Sequence, residues 1–247
     1  MNAYSEFDYL MFTTVSAGAR EVASLFWSCR RFPPPFVYED RDPFDLDSML
    51  DPSGQWQRNC RSFHIDEVDF DLHWGYVNRP ERIFSVEQFF FWEPRSNPGH
   101  AVMMGNSMDG FQHASYVPSR VTPWQYTFSS MLDPVDESSN CMYDYFKDYR
   151  RVARQLAAAH SYEDRKWIFC QEGPVQSFEN TEYYTRRKIK DRFNREIIAE
   201  YMQKLGYDIA HNDFWTTDKP AWVVWTDFNG TISGPTKRKP GIWSADD

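Results

Sequence analysis

The chain has 247 residues, enough for one large domain or two small ones, and it carries a formal net charge of −9. That balance argues against broad contact with nucleic-acid backbones or anionic membranes, both of which call for Lys and Arg in excess, and it suits a basic protein partner. Charged residues at 26% and apolar residues at 41% permit a packed core and exclude global disorder.

Aromatic residues make up 18% of the chain. This is more ring surface than a minimal core needs, and rings dominate interface hot spots because they give contact area at low entropic cost. The N-terminus, Met1 to Asp8, has neither the basic region nor the apolar run of a secretory signal, and no stretch approaches the length of a membrane span, so a cytoplasmic location is expected. Cys29, Cys60, Cys141 and Cys170 are scattered without a C-x-x-C pair, which points to reduced, buried thiols.

In chain order, Asp8 to Val15 is rich in β-branched and aromatic residues and predicts a strand. Ser16 is placed to cap a helix carrying Val22, Leu25 and Phe26, which ends before Arg31-Phe32-Pro33-Pro34-Pro35. A turn-rich acidic segment from about residue 33 to 62 reads as a loop. Val68 to Tyr76 alternates apolar and polar residues as a half-buried strand. A turn at Asn78 to Glu81 leads to a strand from Ile83 to Trp92, apolar enough to be central, then strands at His100 to Met104 and Phe111 to Val117 about a turn at Asn106 to Gly110. The middle third thus predicts an antiparallel meander.

The C-terminal half reads as more helical. Tyr145, Tyr149, Val152 and Leu156 share the spacing of one helical face and predict a helix from Cys141 to His160, capped by Asn140. Lys166 to Cys170 predicts a short buried strand, Glu182 to Arg192 a helix, and Asn194 to Gly206 a second helix with Ile197, Ile198, Tyr201 and Leu205 buried. Trp222 to Asp227 predicts a last strand. The expectation is a single α+β domain over residues 1–247, a mostly antiparallel sheet with helices packed on one face.

Chemistry-bearing clusters are few. His64, Asp66, Asp69, Asp71 and His73 are the densest set of metal-ligand types, but Asp69, Asp71 and His73 are equally the solvent face of an alternating strand, and no metal or cofactor is expected. The acidic positions from Asp40 to Asp47 lack EF-hand spacing and read as a solvated loop or as an acidic lure for a basic surface. Arg186-Arg187-Lys188-Ile189-Lys190-Asp191-Arg192 with Arg195 is a basic island, read as a solvated or internally paired helix. There is no G-x-S-x-G and no Gly-rich phosphate loop, and a buried Cys170 would be inert.

Four pieces carry a resemblance: Phe89-Phe90-Phe91-Trp92; Asn106-Ser107-Met108-Asp109-Gly110; Gly173-Pro174 with Phe178-Glu179; and Tyr183-Tyr184, Asp191-Arg192-Phe193, Tyr201 and Leu205-Gly206. Together, over about residues 85 to 210, they resemble bacterial immunity proteins of polymorphic toxin systems, such as those guarding against type VI secretion or contact-dependent effectors. The resemblance implies a cytoplasmic, non-enzymatic inhibitor that occludes a cognate toxin domain, and it carries no catalytic residue.

The expected contact surface is acidic, built from Glu39, Asp40, Asp42, Asp45, Asp47, Asp66, Glu67, Asp69 and Asp71, with Trp56 or Trp74 as anchoring rings. The expected partner is a basic toxin, with no nucleic acid and no membrane. A metal-dependent hydrolase using His64, Asp66 and His73, or a phage or host-interaction protein, is the alternative.

Overall fold

A computed structural model describes residues 10–31, 60–63, 86–105, 119, 122–131, 141–149, 152–161 and 165–227. The strand expected at Val68 to Tyr76, the turns at Asn78 and Asn106 and the strand at Phe111 to Val117 lie outside these residues.

Among the described residues, nine strands form one sheet. They are β1 (Leu10–Val15), β2 (Cys60–Phe63), β3 (Val86–Trp92), β4 (Ala101–Gly105), β5 (Tyr126–Met131), β6 (Cys141–Phe146), β7 (Arg154–Ser161), β8 (Lys166–Glu172) and β9 (Ala221–Asp227). Their spatial order is β2-β9-β3-β4-β1-β5-β6-β7-β8, and every neighbouring pair is antiparallel. The class is α+β with an antiparallel sheet. β5 to β8 form a meander of consecutive strands, as local connections favour.

Both faces of the sheet's central strands are apolar, and both are covered. In β3, Phe89, Phe90, Phe91 and Trp92 are all buried, so successive side chains serve opposite faces. Phe90 and Trp92 join Tyr143, Leu156 and the helix α2 (Arg195–Lys204) on one face. Phe89 and Phe91 meet Phe26 of helix α1 (Ala19–Arg31) on the other. The short helix α3 (Asn212–Trp215) sits with α2, where Trp92 donates to the Phe214 carbonyl at 2.7 Å and stacks on Trp215. One helical face was expected. α2 and α3 supply it, and α1 covers the second because β3 is apolar in both registers.

Helix α1 begins at Ala19 rather than at Ser16. The Ser16 hydroxyl instead accepts from the Gln125 amide, and the first helical donors go to carboxylates: Gly18 N–H to Glu21 and Ala19 N–H to Glu93. Helix α2 starts as the sequence predicts. The Asn194 side chain accepts from Ile197 N–H at 3.1 Å, and Gly206 takes φ +90° just past the end.

Three further expectations are corrected. The described residues of 141–160 hold the strands β6 and β7, not a helix. Arg154, Leu156 and Ala158 are buried in alternation, whereas Tyr149 and Val152 of the supposed helical stripe are exposed. Asp148 and Tyr149 hold positive φ between the strands, which a helix cannot pass through. Lys166 to Cys170 is a strand, but it lies at the edge of the sheet among the described residues, and Cys170 is exposed rather than buried. Glu182 to Arg192 forms two 3₁₀ turns, Thr181–Thr185 and Ile189–Asp191, separated by extended backbone at Arg186 and Lys188. No helix among the described residues is long and apolar enough to cross a membrane.

Candidate functional site

The residues expected to bind a partner (Glu39, Asp40, Asp42, Asp45, Asp47, Trp56, Asp66, Glu67, Asp69 and Asp71) lie outside the described residues, as do Trp74, His64 and His73. Among the described residues no group of three or more His, Cys, Asp or Glu side chains is placed to hold a metal ion.

Among the described residues, the most connected polar site centres on Arg154 of β7. Its side chain is 2% exposed, and its guanidinium faces the Glu179 carboxylate, on a fully buried side chain, at 2.8 Å. The pair is bidentate: Nε donates to Oε1 at 2.9 Å while Nη2 donates to Oε2. The remaining guanidinium donors reach the carbonyls of Glu172 and Gly173 and the Gln171 side chain. Glu179 in turn accepts from Gln176 N–H at 3.0 Å and from the Tyr184 hydroxyl at 2.6 Å. Tyr184 and Tyr201 share a hydrogen bond at 3.0 Å, and the Tyr201 hydroxyl accepts from Asn180 N–H.

The electrostatics follow from burial with pairing. Burial works against the charge on Arg154, but the Glu179 carboxylate outweighs it and raises the guanidinium further. Burial, then the hydrogen bond to Glu179, pushes the Tyr184 hydroxyl far up, and burial raises Tyr201. Both tyrosines therefore remain protonated donors at neutral pH. A buried ion pair contributes little net stability against an apolar replacement, so its function here is geometric. It fastens the segment Glu172 to Glu179 at its start, middle and end.

Gly173 makes that segment possible. Its φ is +77°, and a Cβ at this position would lie 2.1 Å from the Ala153 carbonyl oxygen. Phe178 anchors the inner side by edge-on contacts with Tyr143, Tyr145 and Tyr201. The outer side shows Pro174, Val175 and Ser177 to solvent, with Val175 at 51% exposure. The result is a loop fastened at both ends, with Pro174 and Val175 exposed at its tip.

The basic island lies next to this loop and is partly engaged within the chain. Arg186 stacks over the Tyr183 ring at 4.2 Å and donates to the Asp191 carbonyl, and Arg192 donates to the Arg186 carbonyl and lies over Phe169. Arg187, Lys188 and Lys190 are exposed.

A second buried carboxylate, Glu93, accepts from Ala19 N–H at 3.2 Å, Gly99 N–H at 2.8 Å and Lys219 Nζ at 2.7 Å. Burial alone would raise it, but Lys219 and the two amides hold it below the ordinary carboxylate range. It ties the start of α1 to the turn after β3 and to the approach to β9.

Sequence reasoning missed Arg154, which it placed within a helix. The available signal was the alternation Arg154, Leu156, Ala158, which marks a strand with its arginine on the apolar face. Glu179 and Tyr184 enter the sequence reading only through the resemblance, and Tyr201 also as part of a buried helical stripe; Glu179 and Tyr184 meet Arg154, and Tyr201 joins them through the Tyr184 hydroxyl. No protein-family model, curated protein or solved structure matches this chain.

Proposed function

We propose that this protein is a cytoplasmic immunity protein that binds and occludes a cognate, basic toxin domain. One observation carries the reading: Gly173, Glu179, Tyr184 and Tyr201, which bear the resemblance, meet in one hydrogen-bonded network that pins an exposed loop. A preformed loop with an apolar tip loses little conformational entropy on binding, the economy that tight inhibitors use. The net charge of −9 favours encounter with a basic partner.

The test is co-expression with a toxin domain encoded beside this gene, where the reading expects one. Restored growth and co-purification of the two chains support the reading. A toxin that kills equally with and without this protein refutes it.

A further inference from the structure

Among the described residues, strand β8 ends the sheet, with β7 its neighbour. Lys166, Ile168, Cys170, Gln171 and Glu172 are exposed, Ile168 at 43%. Folded proteins blunt such edges with prolines, bulges, short strands or central charges. β8 has seven residues and no proline, and its register with β7 runs unbroken from Ser161↔Lys166 to Gln155↔Glu172. Its two charges stand only at its ends.

The sequence of β8, Lys166-Trp167-Ile168-Phe169-Cys170-Gln171-Glu172, complements itself when laid antiparallel. With a two-fold axis at Phe169, Lys166 faces the partner's Glu172 and Ile168 faces the partner's Cys170. Trp167 faces the partner's Gln171, and Phe169 faces the partner's Phe169. The facing residues also share a side of the sheet. Register with β7 puts Lys166, Ile168, Cys170 and Glu172 on the side of Ala157 and Ala159, and Trp167, Phe169 and Gln171 on the side of Leu156.

We propose that a second copy of this chain pairs with β8, antiparallel and centred on Phe169, joining the two sheets into one. The contact is isologous and closes at two copies. Opposite charges at opposite ends of one strand select a copy of the same strand over a foreign one, because both ion pairs then form at once. The inference stands apart from the toxin-binding reading and needs no toxin to test.

Sedimentation of the purified full chain over a concentration series reads the association directly. Wild type is expected to dimerise reversibly, since one strand pair is a small interface. Lys166→Glu and Glu172→Lys should each weaken the dimer about tenfold, because each turns two cross-strand attractions into repulsions. The double variant Lys166→Glu/Glu172→Lys should recover wild-type association. Ile168→Cys sets a thiol opposite the partner's Cys170, within disulfide reach, and should give a covalent dimer on oxidation. Wild type should not, since Cys170 and the partner's Cys170 are diagonal, about 7–8 Å apart. These positions are exposed, so circular dichroism should be unchanged. A chain still monomeric at about 500 µM, far above the demand of an interface this size, overturns the proposal. So does a double charge variant that fails to recover, or an association that the charge variants leave unchanged.

Discussion

Replacing Arg154 by methionine removes the buried cation while keeping an apolar stem of similar length. The Glu179 carboxylate, fully buried, is then left with Gln176 N–H and the Tyr184 hydroxyl as donors, and the carbonyls of Glu172 and Gly173 each lose theirs. Breaking one side of such a pair costs about 3–5 kcal/mol. For a chain of this size that lowers the thermal midpoint by roughly 6–20 °C. Glu179→Met should cost a similar amount, with Arg154 then stranded. The double variant should cost clearly less than the sum of the two, giving a coupling of about 2–3 kcal/mol. Urea unfolding followed by tryptophan fluorescence measures all four proteins. An Arg154→Met loss below about 1 kcal/mol, or strictly additive singles, would refute the view that this pair organises the loop.

The remaining predictions concern the glycine, the loop tip and pH. Gly173→Ala, with its Cβ 2.1 Å from the Ala153 carbonyl and φ at +77°, should lower the thermal midpoint, by about 3 kcal/mol equivalent or more, and a midpoint within error of wild type would contradict the close approach. Val175→Asp, at 51% exposure, should leave stability within about 0.5 kcal/mol in the same assay, while growth rescue against the toxin is lost. Burial holds the Cys141 thiol up at about 12 against an ordinary 9.0, so the folded state keeps a proton that the unfolded chain releases. Stability should therefore fall as pH rises from about 9 towards 12, with a shallower decline in Cys141→Ala. Glu93 has the opposite sign. Its carboxyl is held below an ordinary 4.5, so its contribution is present above about 4.5 and lost as pH falls below that, and Glu93→Gln should flatten the acid limb of a stability–pH curve.

Where periodicity and local capping agree, the fold is legible from sequence. The Phe89 to Trp92 run is apolar in both registers and becomes a central strand. Asn194 and Gly206 bracket a helix because each satisfies or accommodates the backbone at its own end. The errors have physical causes. Tyr145, Tyr149, Val152 and Leu156 fall at helical spacing, yet Tyr143 and Tyr145 on β6 and Leu156 and Ala158 on β7 also obey a two-residue period. Tertiary pairing with β5 and β8 decides for the strands. Trp167-Ile168-Phe169 looks like a buried strand because apolar content does not report position in the sheet order. The Arg154–Glu179 pair spans 25 residues and joins two elements, and no spacing rule for one element reaches that far. The resemblance pointed to half of that site because it touched Glu179, Tyr184 and Tyr201.

The central claim is that a buried ion pair holds the loop Glu172 to Glu179 ready to bind a toxin. Titration calorimetry of the cognate toxin domain against wild type and Val175→Asp tests it most directly. A loss of at least about tenfold in affinity, with unchanged unfolding, is the predicted result, as expected for an anchoring side chain. Equal affinities would place the toxin elsewhere on the surface and contradict the account.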